Sequence, residues 1–136
     1  MRWLGLGPGL RPLGALRQLQ ALLDQHSFWA TGRRLGQLRT MLAASTVVVT
    51  AWQGQRLVGF GRATSDGVFR ATLWDVVVAM DQQGGGIGRQ LVDALLRSRP
   101  LRSVERIYLM TTQSSGFYQQ IGFRLVTSQH LLVKKT

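Results

Sequence analysis

One stretch constrains this chain more than any other. Residues 75–89 read DVVVAMDQQGGGIGR, an apolar run that passes through a cluster of glycines. Upstream, Phe69 to Ala79 (FRATLWDVVVA) predicts a strand that is apolar on consecutive positions, as a central strand covered on both faces would be. Downstream, Gly88 to Arg99 places Leu91, Val92, Leu95 and Leu96 on one helical face, and Pro100 stops that helix. A strand that turns through glycines into a helix leaves first-turn amides as unpaired donors, and the glycines let backbone come close to a bulky anion. The helix dipole and Arg89 favour negative charge at Gly84–Arg89. A pyrophosphate is the natural occupant. The plainer alternative is a tight strand-to-helix turn and nothing more.

Two common nucleotide loops do not fit. A Rossmann fingerprint needs G-x-G-x-x-G after the first strand, and here Gly84-Gly85-Gly86 with Gly88 follows the third. A phosphate-binding P-loop ends in Gly-Lys-Ser/Thr, and Gly88-Arg89-Gln90 does not.

Elsewhere the hydrophobic period sets the elements. Leu13, Leu16, Leu19, Leu22 and Leu23 recur at helical spacing, as do Leu35, Leu38, Met41 and Leu42. The period then shortens: Thr46 to Trp52 and Arg56 to Thr64 read as strands about the turn Gln53-Gly54, and Ser65-Asp66-Gly67 turns into the third strand. Arg106 to Thr111 reads as a buried strand, Ser114 to Gln120 as a short helix ended by Gly122, and Phe123 to Lys134 as one or two terminal strands. The order is ααβββαβαβ, an α+β fold with a mixed, mostly antiparallel central sheet flanked by helices. All 136 residues read as a single domain, with 1–12 an irregular or edge-strand segment.

Composition narrows the chemistry. The chain has no cysteine, which removes a disulfide scaffold, a thiolate metal site and a cysteine nucleophile. His26 and His130 share no ligand spacing, so no metal is expected, and both read as surface or packing residues. No apolar run reaches the roughly 18 residues of a membrane span, and MRWLGLGPGLRP is too broken for a secretory leader, so a cytoplasmic protein without membrane contact is expected. The formal charge is +11, and fifteen of the seventeen basic residues are arginine. Such a field favours anionic partners, but the arginines are scattered, with no run longer than Arg33-Arg34, which reads as a solvated helix face. A phosphate-bearing small molecule fits that pattern better than nucleic acid.

Gln83-x-x-Gly86-x-Gly88, set between strand and helix, matches the Q/R-x-x-G-x-G/A signature of the GNAT superfamily of N-acetyltransferases. Some thirty residues on, Phe117-Tyr118-Gln119-Gln120-Ile121-Gly122-Phe123 resembles the family's second hallmark, FYxxxGF. Residues 57–78 are further similar to the plastid and cyanobacterial arylalkylamine (serotonin) N-acetyltransferase-like branch. The resemblance implies the GNAT fold and transfer of an acetyl group from acetyl-CoA to a primary amine by direct attack in a ternary complex. It assigns the pantetheine arm to backbone at Val76, Val77 and Val78 and the pyrophosphate to Gln83, Gly84, Gly85, Gly86, Ile87, Gly88 and Arg89. Tyr118 becomes the acid for the departing thiolate and Asp75 the base. The plainer readings are that Tyr118 packs beside Phe117 and that Asp75 pairs with a nearby arginine, while Trp74 reads either as the wall of an aromatic acceptor pocket or as a core residue.

Two positions depart from the family. Thr111 stands where an Asn or Asp often orients cofactor or water, and Met80 where the central strand usually exits through a proline. A hydroxyl can hydrogen-bond but cannot serve as a carboxylate base, so Thr111 unsettles the proton relay more than cofactor binding. The acceptor stays open between a small arylalkylamine and a protein lysine or N-terminus, as does a non-catalytic acyl-CoA-binding module. A homodimer is the family's common habit.

Overall fold

β-branched residues bounded by glycine turns make hairpins, and three such runs in succession make the meander at the centre of this fold. The computed structural model describes residues 2–6, as backbone, and 15–136. In chain order the elements are β1 (Arg2–Leu6), α1 (Ala15–His26), α2 (Leu35–Ala44), β2 (Val47–Gln53), β3 (Arg56–Ser65) and β4 (Arg70–Val78). A single 3-10 turn (Met80–Gln82) then leads to α3 (Ile87–Arg97), β5 (Arg106–Tyr108) and α4 (Ser115–Ile121). The sheet runs β1-β2-β3-β4-β5, antiparallel except for the parallel pair β4–β5 that α3 bridges. The segment read as irregular or edge strand contains β1, paired with β2 from Arg2↔Gln53 to Leu6↔Val49. Leu13, counted toward the first helix, lies outside the described residues.

Helix α3 lies close on the sheet because β3 presents glycines to it. A Cβ at Gly59 would stand 2.9 Å from Leu91 Cδ1, 3.1 Å from Ile87 Cγ2 and 3.2 Å from Ala51 Cβ. One at Gly61 would stand 3.2 Å from Leu95 Cδ1. By strand alternation Val58 and Phe60 point to the other face, which α1 covers, and both are fully buried. Leu19, Leu22 and Leu23 of α1 and Leu38 and Leu42 of α2 complete that half of the core.

The second hairpin, β3–β4, contains the irregularity that matters for function. Phe60 pairs with Val77 and Arg62 with Trp74, so the two residues Asp75–Val76 oppose the single residue Gly61. This is a β-bulge, and Asp75 carries it in the left-handed region at φ 55°. Aspartate tolerates that conformation better than most residues. The bulge turns the end of β4 away, and the β4–β5 ladder stops at Thr72↔Tyr108. Beyond that register the two parallel strands splay.

The far end of the chain departs from expectation. The strand predicted over Arg106–Thr111 keeps only Arg106–Tyr108, because the splay removes its partner. Phe123–Lys134, predicted as one or two strands, forms none. A three-residue β5 offers too short an edge to propagate a ladder, and Leu125, Val126, Leu131, Leu132 and Val133 stand 53–88 % exposed.

The Gly59 contacts carry a prediction. Gly59→Ala pushes a methyl against Ala51, which cannot move aside as a side-chain tip can, and should cost about 1–3 kcal/mol. Chemical denaturation measures it, as a lower midpoint at unchanged slope.

Candidate functional site

The glycine loop is built for exposed amides. Gly84 (φ 84°) and Gly86 (φ 87°) are left-handed, and Gly86 is the N-cap of α3. A glycine cap has no side chain to bond the first turn, so the amides of Ile87, Gly88 and Arg89 keep their donor capacity. Gln83 ties this loop back to the strand: its Nε2 donates to the Val78 carbonyl at 3.2 Å. Arg89 is only loosely held by Asp93, at 3.9 Å on an exposed face, and keeps its charge near the helix start.

Opposite the loop stands α4. A Cβ on Gly88 would meet Phe117 Cζ at 3.4 Å, so the first turn of α3 and the ring of Phe117 pack directly. Tyr118 follows, packed edge-on against Phe117 (5.0 Å between centroids) and Phe123 (5.8 Å). Burial pushes the Tyr118 phenol up, so it is protonated at neutral pH. Thr111 opens the connection into α4, its Oγ1 accepting from the Ser114 amide at 3.1 Å, and the hydroxyl proton remains available to donate.

Between these walls the splay of β4 from β5 opens a cleft of about 870 Å³. Val76, Val77 and Val78 form its floor on one side, Leu109 to Ser114 the other, with Gln83 and Tyr118 at the loop end. The structure thus brings together Val76–Val78, Gln83, Thr111, Tyr118 and Asp75 around one space, with Gly84–Arg89 adjoining it.

The second mouth of the cleft is aromatic. Phe28 and Trp29, from the α1–α2 connection, meet edge to face at 5.0 Å and line it together with Trp74. Trp74 is steadied from behind by its Nε1 bond to Thr64 Oγ1 (2.9 Å) and by Arg62 over its ring at 5.8 Å. His26, expected as a surface or packing residue, closes the α1 end. Its Nδ1 accepts the Met80 amide at 3.1 Å, which is the very donor that a proline at position 80 would not have.

Asp75 sits beneath this aromatic mouth with its side chain only 5 % exposed. Oδ1 accepts from Trp29 Nε1 at 2.9 Å and Arg33 Nη2 at 3.4 Å, and Oδ2 from Arg33 Nη1 at 3.1 Å and Arg62 Nε at 2.9 Å. Burial pushes the carboxyl up, but the hydrogen bonds and charges of Arg33 and Arg62 outweigh it and hold it below the ordinary carboxylate range. This geometry works against the role of base that the resemblance gives to Asp75: both oxygens are already engaged, and a lowered pKa makes a weaker base. It also corrects the reading of Arg33 as a solvated helix face. The sequence pointed to Asp75 and to a nearby arginine as its structural partner, but not to Arg33, Arg62 or Trp29 in particular. The one available signal was Gly61, whose missing side chain accommodates the bulge.

A strand opened by a bulge, a glycine-capped helix at its end and a half-buried tyrosine across the gap thus share one cleft. The model of the Acetyltransferase (GNAT) family matches residues 16–123. The chain belongs to that family. An uncharacterized N-acetyltransferase, ycf52-like, of Prochlorococcus marinus is 36 % identical over 115 residues, covering 81 % of this chain and 63 % of its own length. A histone acetyltransferase, TAP1, of Glycine max is 36 % identical over 117 residues, covering 77 % of this chain and 50 % of its own. This GNAT chain therefore spans less than two thirds of either relative. Among solved structures, a GNAT-family acetyltransferase of Streptococcus pneumoniae superposes with a TM-score of 0.79 at 20 % identity, covering 100 % of both chains, a likeness of fold.

Removing the Asp75 charge leaves two arginines facing each other. Asp75→Asn should therefore destabilise the protein by on the order of 3 kcal/mol near neutral pH. Because its folded pKa is lowered, the contribution of Asp75 is present above the ordinary carboxylate range and lost as pH falls through the lowered value. The stability gap between wild type and variant should hold above about pH 5 and close below about pH 4. Denaturant titrations across that range check both the size and the sign.

Proposed function

We propose that this domain transfers the acetyl group of acetyl-CoA to a primary amine, and that the amine is a small aromatic one. The observation that carries the reading is the splay of β4 from β5, with uncapped amides at one end and a protonated phenol across it. The amides of Ile87, Gly88 and Arg89 bind the diphosphate, and the freed edge at Val76–Val78 receives the pantetheine arm. The amine nitrogen attacks the thioester carbonyl, a C–N bond forms and the C–S bond breaks. Tyr118 gives its proton to the leaving sulfur, and its raised pKa keeps that proton in place until the thiolate appears.

The amine's own proton goes to water rather than to Asp75. Thr111, whose hydroxyl proton is free to donate, can orient such a water within the cleft. Asp75 instead holds Trp29, and through it the aromatic mouth, in place.

The acceptor class follows from what the mouth lacks. Asp75 is the one acid among the described residues that line the cleft, and two arginines neutralise it. A polycation finds no counter-charge there, whereas Phe28, Trp29 and Trp74 offer an aromatic platform. This agrees with the similarity of residues 57–78 to the arylalkylamine branch. A second reading, a protein amine, is favoured by the name of the soybean relative.

An acceptor panel decides between them: arylalkylamines should exceed polyamines and lysine peptides in kcat/KM, and the reverse order overturns the assignment. Tyr118→Phe should lower kcat by about 100-fold or more with the KM for acetyl-CoA little changed. Unaltered turnover in that variant would remove Tyr118 from the mechanism.

A further inference from the structure

The end of the molecule opposite the cleft carries a surface that acetyl transfer does not use. β4 begins at Arg70 beside the β3–β4 turn and ends at the cleft, about 30 Å away for nine extended residues. At the tip of that turn Val68 and Phe69 stand side by side, each 58 % exposed. Solvent-facing apolar residues are ordinary one at a time, but an adjacent pair at a turn tip is not.

The turn beneath them is closed on itself. Asp66 Oδ1 accepts from the amides of Val68 (2.8 Å), Phe69 (2.7 Å) and Arg70 (3.1 Å). The Gly67 amide donates to Ser65 Oγ at 2.8 Å, and the Asp66 amide to the Arg70 carbonyl at 3.2 Å. Every backbone N–H from Asp66 to Arg70 thus has an internal acceptor. Losing bulk water at such a tip strands no donor, which is the main cost of moving backbone into an apolar medium.

Arginines lie alongside. The α3–β5 loop is bonded to the turn through the Arg106 amide on the Phe69 carbonyl (3.0 Å) and Ser65 Oγ on the Pro100 carbonyl (3.3 Å). Arg99 and Arg102 of that loop and Arg106 at the start of β5 are exposed and have no acidic partner among the described residues, while Glu105 is taken by Arg70 at 3.0 Å.

We propose that the β3–β4 turn and the α3–β5 loop form a peripheral docking site for an anionic lipid surface. Val68 and Phe69 enter the interface, and Arg99, Arg102 and Arg106 meet the headgroup phosphates. No helix among the described residues is long and apolar enough to cross a membrane. The proposed contact, which the sequence reading did not expect, is with one leaflet. Nucleic acid fits the same arginines less well, because the turn has no free amide for a phosphate and a single aromatic ring, Phe69, for stacking. The cleft, at the other end of β4, stays open to solvent while the protein is docked. The proposal does not depend on the acceptor or on acetyl transfer.

Co-sedimentation with phosphatidylglycerol–phosphatidylcholine vesicles tests it, against phosphatidylcholine alone and against a labelled single-stranded RNA at the same salt. Binding should require phosphatidylglycerol and weaken with salt. The double variant Val68→Asp/Phe69→Asp should bind about tenfold or more weakly. Arg99→Ser and Arg102→Ser should each cost about fivefold. Val68→Phe should bind more tightly, which keeps the test informative if the acidic double variant folds poorly. Leu132→Asp, in the exposed C-terminal segment, should leave binding unchanged. The proposal is overturned if vesicles are not bound, if Leu132→Asp rather than the turn variants abolishes binding, or if RNA binds more tightly through the arginines with no dependence on Phe69.

Discussion

A carboxylate held by two guanidinium groups and an indole is the joint on which this domain is assembled. Asp75 occupies the extra position of the β4 bulge, and its bonds reach Arg62 on the neighbouring strand and Trp29 and Arg33 in the connection between α1 and α2. Three elements distant in sequence are thereby fixed around one residue with left-handed backbone. Such strain persists only where the surroundings over-determine it, and here they do. With the bulge in place, the end of β4 departs from β5 and a cleft follows. A straight strand would continue the parallel ladder past Thr72↔Tyr108 and close the space.

Seen this way, the two mouths of the cleft have separate origins. The glycine-loop end comes from local sequence: two left-handed glycines, a glycine N-cap and the helix behind them. The aromatic end comes from tertiary contacts, because Phe28 and Trp29 belong to the α1–α2 connection and Trp74 to β4, and the Trp29–Asp75 bond links the two. The charge of the molecule divides in the same manner. Arg33 and Arg62 are consumed internally, whereas Arg99, Arg102 and Arg106 remain on the outside. A total of +11 therefore says little until each arginine is located.

How much of this was legible beforehand tracks how local the cause is. Helical spacing of leucines located α1, α2 and α3, and the β-branched runs located β2 to β4, because each pattern reports a face that must be buried. The glycine loop was legible for the same reason: positive φ and an uncapped helix start are properties of a few neighbouring residues. The bulge was not. Nothing near position 75 announces two residues opposing one, and its cause sits in Gly61 on the partner strand and in arginines thirteen and forty-two residues away. Asp75 accordingly read both as a base and as the partner of a nearby arginine, and only its contacts identify Arg33, Arg62 and Trp29. The C-terminal apolar run shows the converse. Strand-like composition from Phe123 onward makes no strand where the neighbouring edge is three residues long.

The bare backbone at Gly59 and Gly61 has a wider consequence. Those two positions set how deeply Leu91 and Leu95 settle, and so the height at which the whole of α3 rides above the sheet. The same rigid cylinder delivers the uncapped amides at its leading end and abuts Phe117 through Gly88. A methyl group added in the interior would therefore be felt at the rim, as a lever transmits a small lift at its fulcrum. On the proposed function, affinity for the nucleotide is in this sense tuned from the middle of the hydrophobic core, by residues that never meet the ligand.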